Sequence, residues 1–142
     1  MKKVVLSLIV AVVIFLVSAV YAQAGTVTVE VSEIKEIKGL ISVGLYSGEK
    51  GFPDKGKEYK GKDVKVTAGT VACTFEDVPD GTFAVGVFHD SNSNGKLDKN
   101  FLGIPKEGYA FSNNASAIGT PAFKDASFEF TDSKTIKIKM EY

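Results

Sequence analysis

From Thr26 onward the chain alternates. Thr26–Ser32 (TVTVEVS) sets Val27, Val29 and Val31 against Thr, Glu and Ser. That period of two marks a strand with one buried face. Leu40–Ser47 repeats it with Ile41, Val43 and Leu45, and Thr70–Val78 with Val71, Cys73 and Phe75. Thr135–Tyr142 sets Ile136, Ile138 and Met140 against Lys137, Lys139 and Glu141. Two shorter stretches, Asp63–Val66 and Ser127–Phe130, carry Val64 with Val66 and Phe128 with Phe130. Thr82–Asp90 is apolar on both faces, as a central strand would be.

Turn residues separate these runs: Lys38-Gly39, Gly48 to Pro53, Ala68-Gly69 and Val78-Pro79-Asp80-Gly81. No stretch beyond Gly25 has an apolar period of helix length. Seven short strands therefore predict an all-β fold, a single Ig-like or transthyretin-like β-sandwich. Two regions break the pattern. Glu49–Lys62 (EKGFPDKGKEYKGK) reads as a solvated, mobile surface loop; as a binding loop it would use Phe52 and Tyr59. His89–Asp125 reads as one long irregular stretch, a length rarely kept in a compact domain without a purpose or an internal tether.

The first 24 residues are of another kind. Lys2 and Lys3 precede an almost unbroken apolar run, Val4–Val20, and Ala22-Gln23-Ala24 fits the small-x-small pattern of a signal-peptidase site. This predicts a signal-peptide helix over residues 1–24, cleaved between Ala24 and Gly25, and a secreted or periplasmic domain over 25–142. The apolar run is long enough to leave an uncleaved anchor as the alternative, and that anchor would be the chain's one membrane contact. No Cys stands near the cleavage site, so nothing suggests lipidation.

Composition narrows the function classes. Acids and bases number 17 each, and every base is a lysine. Removal of the leader takes two lysines and leaves the domain slightly acidic. No basic footprint for nucleic acid exists. The one cysteine, Cys73, forbids an internal disulfide and reads as a buried, inert thiol, because it alternates with Val71 and Phe75.

The chemistry concentrates in one loop. Asp90-Ser91-Asn92-Ser93-Asn94-Gly95-Lys96-Leu97-Asp98 has the calcium-loop spacing D-x-N-x-N-G-x-x-D. Calcium takes six to eight oxygens from carboxylates, amides and carbonyls. The candidate ligands are the side chains of Asp90, Asn92, Asn94 and Asp98 and the carbonyl of Lys96, with Gly95 at the sharp turn. The twelfth position, a bidentate Glu in an EF-hand, is Phe101 here; Glu107 would supply the missing carboxylate if the chain folds back. The competing reading is turn chemistry alone, since Asp, Asn, Ser and Gly make turns through Asx bonds to backbone amides. With few carboxylates, a calcium site here would be a weak structural clip, in the range of about 10⁻⁴–10⁻³ M.

The stretch HDSNSNGKLDKNFLGIPKEGYAFSNNA resembles a family of uncharacterised secreted bacterial proteins, the domain of unknown function 2141 (DUF2141). The residues that carry the resemblance are His89-Asp90, Asn92, Asn94-Gly95, Asp98, Gly103-Ile104-Pro105, Glu107, Tyr109, Phe111-Ser112-Asn113, Pro121-Ala122-Phe123 and Ala126. The preceding FEDVPDGTFAVGVFHD is similar to it as well. The resemblance implies a secreted β-sandwich and supplies no activity.

Other candidates weigh toward structure. His89 shares the parity of Phe83, Val85 and Val87, which predicts a packed, hydrogen-bonded imidazole at the core edge; without a Cys or His partner it is no zinc site. Tyr109, Phe111 and Phe123 are expected to pin the long loop onto the sandwich. The reading that follows is a binding or structural module, not an enzyme, with a protein or glycan partner at the cell envelope. The alternative is a small secreted enzyme using His89 with Asp90 or Glu107.

Overall fold

The computed structural model describes residues 24–115 and 119–142. Residues 1–23 of the expected leader, and with them any anchor, lie outside the described residues. Within them the chain forms eight strands: β1 Gly25–Ser32, β2 Leu40–Tyr46, β3 Lys60–Lys65, β4 Val71–Val78, β5 Gly81–Asp90, β6 Tyr109–Phe111, β7 Phe128–Phe130 and β8 Ser133–Lys139. A 3-10 turn, Ser112–Asn114, and a one-turn helix α1, Phe123–Ala126, lie between β6 and β7.

The strands make a two-sheet sandwich. One sheet runs β4-β1-β8, with β1 antiparallel to β4 and parallel to β8. The other runs β3-β2-β5-β6, and β7 pairs the opening residues of β5. β4 and β5 belong to different sheets, so Pro79-Asp80 turns a corner between layers and does not close a hairpin. Val27, Val29 and Val31 of β1 share a single apolar core with Ile41, Val43, Leu45, Val85 and Val87 of the other sheet. Burial of those faces is the main favourable contribution to folding.

The seven-strand expectation needs correction in the long loop. His89–Asp125 contains β6 and most of α1. Tyr109–Phe111 adds three residues to the edge of β5, opposite Gly86–Phe88. A three-residue strand has too short a pattern to stand out in sequence. β3 also begins at Lys60 rather than Asp63; Lys-Gly-Lys is held there by backbone pairing to β2 and not by side-chain burial.

The outer face of the larger sheet is covered too. Gly61, Gly44 and Gly86 stand side by side across β3, β2 and β5. A Cβ on Gly44 would lie 2.8 Å from the Tyr46 ring, and one on Gly86 would touch Pro53 and Phe111. The row of glycines therefore lets the 49–59 loop lie close on the sheet. Phe52 of that loop makes edge contacts with Tyr46, Phe111 and Phe123. Phe52, Phe111 and Phe123 form a second, smaller core with Ala84 and Ala126. Phe52 is thus a packed anchor, and the loop expected to be free is pinned at that residue.

Candidate functional site

β5 delivers His89 and Asp90, both 1% exposed, to one end of the sandwich. His89 continues the inward parity of Phe83, Val85 and Val87. Its Nε2 lies 2.8 Å from the Lys38 carbonyl and its Nδ1 2.8 Å from the Tyr142 hydroxyl. A carbonyl can only accept, so Nε2 carries a proton, and Nδ1 shares a hydrogen bond with the Tyr142 hydroxyl. The Tyr142 oxygen in turn accepts the Lys35 amide at 3.2 Å. Both imidazole nitrogens are committed. Burial pushes the Tyr142 phenol above its usual range.

Asp90 closes the next turn. Its Oδ1 accepts the Asn94 amide at 2.9 Å and its Oδ2 the Gly95 amide at 2.8 Å. Gly95 has φ +84, in the left-handed region that favours glycine. Gly39 has φ +68, and a Cβ there would fall 2.2 Å from the Asp90 carbonyl oxygen. The turn leading into β2 therefore needs glycine to approach the loop so closely.

Beyond the turn the side chains converge. The Asn92 amide nitrogen donates to Asp98 at 2.7 Å, and the Asn94 amide nitrogen to both Asp98 oxygens at 2.9 Å. The two amide oxygens accept backbone N–H groups two residues on, those of Asn94 and Lys96. These are the Asx turns that the composition suggests. The bonds from Asn94 and Asn92 hold the Asp98 carboxyl below the usual aspartate range.

Glu107 does fold back. Its Oε1 accepts the Ser91 amide at 2.9 Å and hydroxyl at 3.0 Å, and its Oε2 accepts the Asp98 amide at 2.9 Å. It ties the two ends of the loop together from behind. Asn92, Asn94 and Asp98 are thus brought to one point, Asp90 winds the turn beside them, and Glu107 is a clamp on backbone. Among the described residues no group of three His, Cys, Asp or Glu side chains could hold a metal. Any ion here would rely on two aspartates, the asparagines and the Lys96 carbonyl.

The family model for an uncharacterised protein conserved in bacteria, DUF2141, matches residues 29–138. The chain belongs to the DUF2141 family. Comparison with curated proteins and with solved structures gives no match. The family match runs from the middle of β1 almost to the end of β8, so it covers both sheets and the whole loop of this DUF2141 chain. The motif residues divide by place. His89-Asp90, Asn92, Asn94-Gly95, Asp98 and Glu107 build the loop. Phe111 belongs to the second core, Ser112 is buried beside it, and the Asn113 amide nitrogen donates to the Asp125 and Ser127 carbonyls.

Sequence reasoning missed Tyr142, Lys38 and Ser91. Tyr142 lies 53 residues from His89, and Lys38 contributes only a carbonyl. Neither carries a local signal. Ser91 sits inside the motif, but its role depends on where Glu107 returns.

Proposed function

We propose that this protein is a non-enzymatic module of the bacterial cell envelope, secreted or periplasmic, whose Asp90–Asp98 loop is a weak calcium clip shaping a surface for a protein or glycan partner. The observation that carries the reading is the convergence of Asn92, Asn94 and Asp98 beside a turn already wound by Asp90. Carboxylate and amide oxygens gathered on one short loop suit a hard cation. Half-turns of the two amides would present oxygen in place of nitrogen, at the loss of the bonds their oxygens now accept from the Asn94 and Lys96 N–H groups. The ligand set would be Asp90, Asn92, Asn94, Asp98 and the Lys96 carbonyl. Glu107, which ties Ser91 and the Asp98 backbone at the two ends of the loop, would act behind the ligands as their support. The committed nitrogens of His89 and the clamp role of Glu107 weigh against a proton-transfer pair, and favour a module over an enzyme.

Thermal unfolding of Gly25–Tyr142, in chelator and then across calcium up to several millimolar, tests this. A ligand that binds only the folded state raises the midpoint with its concentration. The expected result is a calcium-dependent rise that Asp98→Asn weakens and Asp90→Ala abolishes. A midpoint indifferent to calcium and magnesium would sink the clip and leave the loop as turn chemistry.

A further inference from the structure

Directly after Asp98 the chain makes a small finger, Lys99–Pro105, with an unusual surface. An antiparallel bridge between Lys99 and Pro105 closes its base. The Asn100 N–H donates to the Ile104 carbonyl at 2.8 Å, and the Gly103 N–H donates to the Asn100 carbonyl at 3.0 Å. The Asn100 side-chain oxygen accepts the Leu102 and Ile104 amides, at 2.9 and 3.0 Å. The finger is therefore ordered by its own bonds, whether or not an ion sits in the neighbouring loop. Yet it buries little of its apolar surface: Phe101 is 94% exposed, Leu102 67% and Ile104 55%. Apolar side chains held out in water on an ordered turn mark a contact site.

Its surroundings say what it contacts. Lys99 and Lys106 stand at the base of the finger and Lys96 lies near Asp98 just before it; all three are exposed. Of the nearby acids, Glu107 is buried on backbone donors, and the one carboxylate of Asp98, bonded to the asparagines, lies near both Lys96 and Lys106 and offsets part of their charge. The domain without its leader is slightly acidic, so this concentration of lysines is local. The three apolar side chains expose on the order of 400 Å², about half of the ~800 Å² per partner that a stable protein–protein contact buries. A protruding apolar tip with lysines at its base instead suits a lipid surface, with the tip among the acyl chains and the ammonium groups at anionic headgroups.

We infer that the Lys99–Pro105 finger docks the protein on an anionic bilayer surface, with Phe101, Leu102 and Ile104 inserted and Lys96, Lys99 and Lys106 at the headgroups. The contact belongs to the folded domain and is separate from any anchor in the leader. It stands without the calcium reading.

The chain has no tryptophan, so Phe101→Trp places one reporter at the tip. The test uses Gly25–Tyr142, which holds both sheets and the entire described core. It is titrated with phosphatidylcholine vesicles, with and without phosphatidylglycerol. The expected result is a blue shift of emission on the anionic vesicles, weakened by salt, and little on the neutral ones. Leu102→Ser with Ile104→Ser in the same background should lower the partition coefficient about tenfold or more, with the thermal midpoint unchanged. Emission that stays at its solvent-exposed position at every lipid concentration overturns the proposal. So does vesicle binding that the double substitution leaves intact, or a blue shift that depends on protein concentration without lipid, which would mean a second copy covers the tip.

Discussion

Asp98 shows how one surface side chain organises a loop. It receives three bonds from two asparagine amides, and these favour its charged form. Its pKa is lowered, with Asn94 the largest cause and Asn92 next. A carboxyl whose folded pKa lies below its unfolded value contributes stability that is complete above the unfolded value, about 3.9. That contribution is lost as the pH falls through the folded value. Titration followed by NMR should accordingly place the Asp98 midpoint below that of a free aspartate, and the Asn92 and Asn94 side-chain amide signals should shift with it. An Asp98 midpoint at or above the ordinary value would show that the asparagines do not hold the carboxylate.

The elements of the long connection are joined through one hydroxyl. Ser112 is fully buried. Its Oγ accepts the Val85 amide of β5 at 2.8 Å and donates to the Ala126 carbonyl at the end of α1. β6, the 3-10 turn, α1 and the middle of β5 therefore meet at a single side chain. Ser112→Ala would strand the Val85 N–H and the Ala126 carbonyl away from water, at a cost of about 1–3 kcal/mol. Urea unfolding measures this directly; a loss near zero would mean that the backbone relaxes to find other partners. The 3-10 turn reaches the other sheet in a similar way, through Asn114, whose side-chain oxygen accepts the Lys139 amide of β8 at 3.1 Å.

At the scale of the molecule the two sheets are sewn along one side. Tyr109 of β6 and Glu141 beyond β8 exchange backbone bonds at 3.0 and 3.2 Å. On the other side Lys60 and Lys62 of β3 donate to the Glu76 and Thr74 carbonyls of β4. Lysines on those facing edges also discourage pairing with another chain. One continuous core lies between, so unfolding should be a single cooperative transition. Ile138→Ala truncates a fully buried side chain of β8 and should cost about 2–5 kcal/mol, without splitting that transition. Two separate transitions would show that the sheets, or the second small core, unfold independently.

The alternation of valines, isoleucines and phenylalanines was enough to determine the all-β class, the parity of β1, β2, β4, β5 and β8, and the inward place of His89 and Cys73. A period of two is a local property, because every second side chain must face the same layer. The loop's Asx turns and its glycine were legible for the same reason: their partners lie within a few residues. Pairing was not. Only the tertiary structure decided that β8 runs parallel beside β1, that β4 and β5 part company at Pro79-Asp80, and that Tyr109–Phe111 becomes a strand. It also decided that Glu107 clamps Ser91 and Asp98, and that Tyr142 meets His89. Each of these depends on residues well separated in sequence, joined through backbone groups or single side chains that leave no periodic trace.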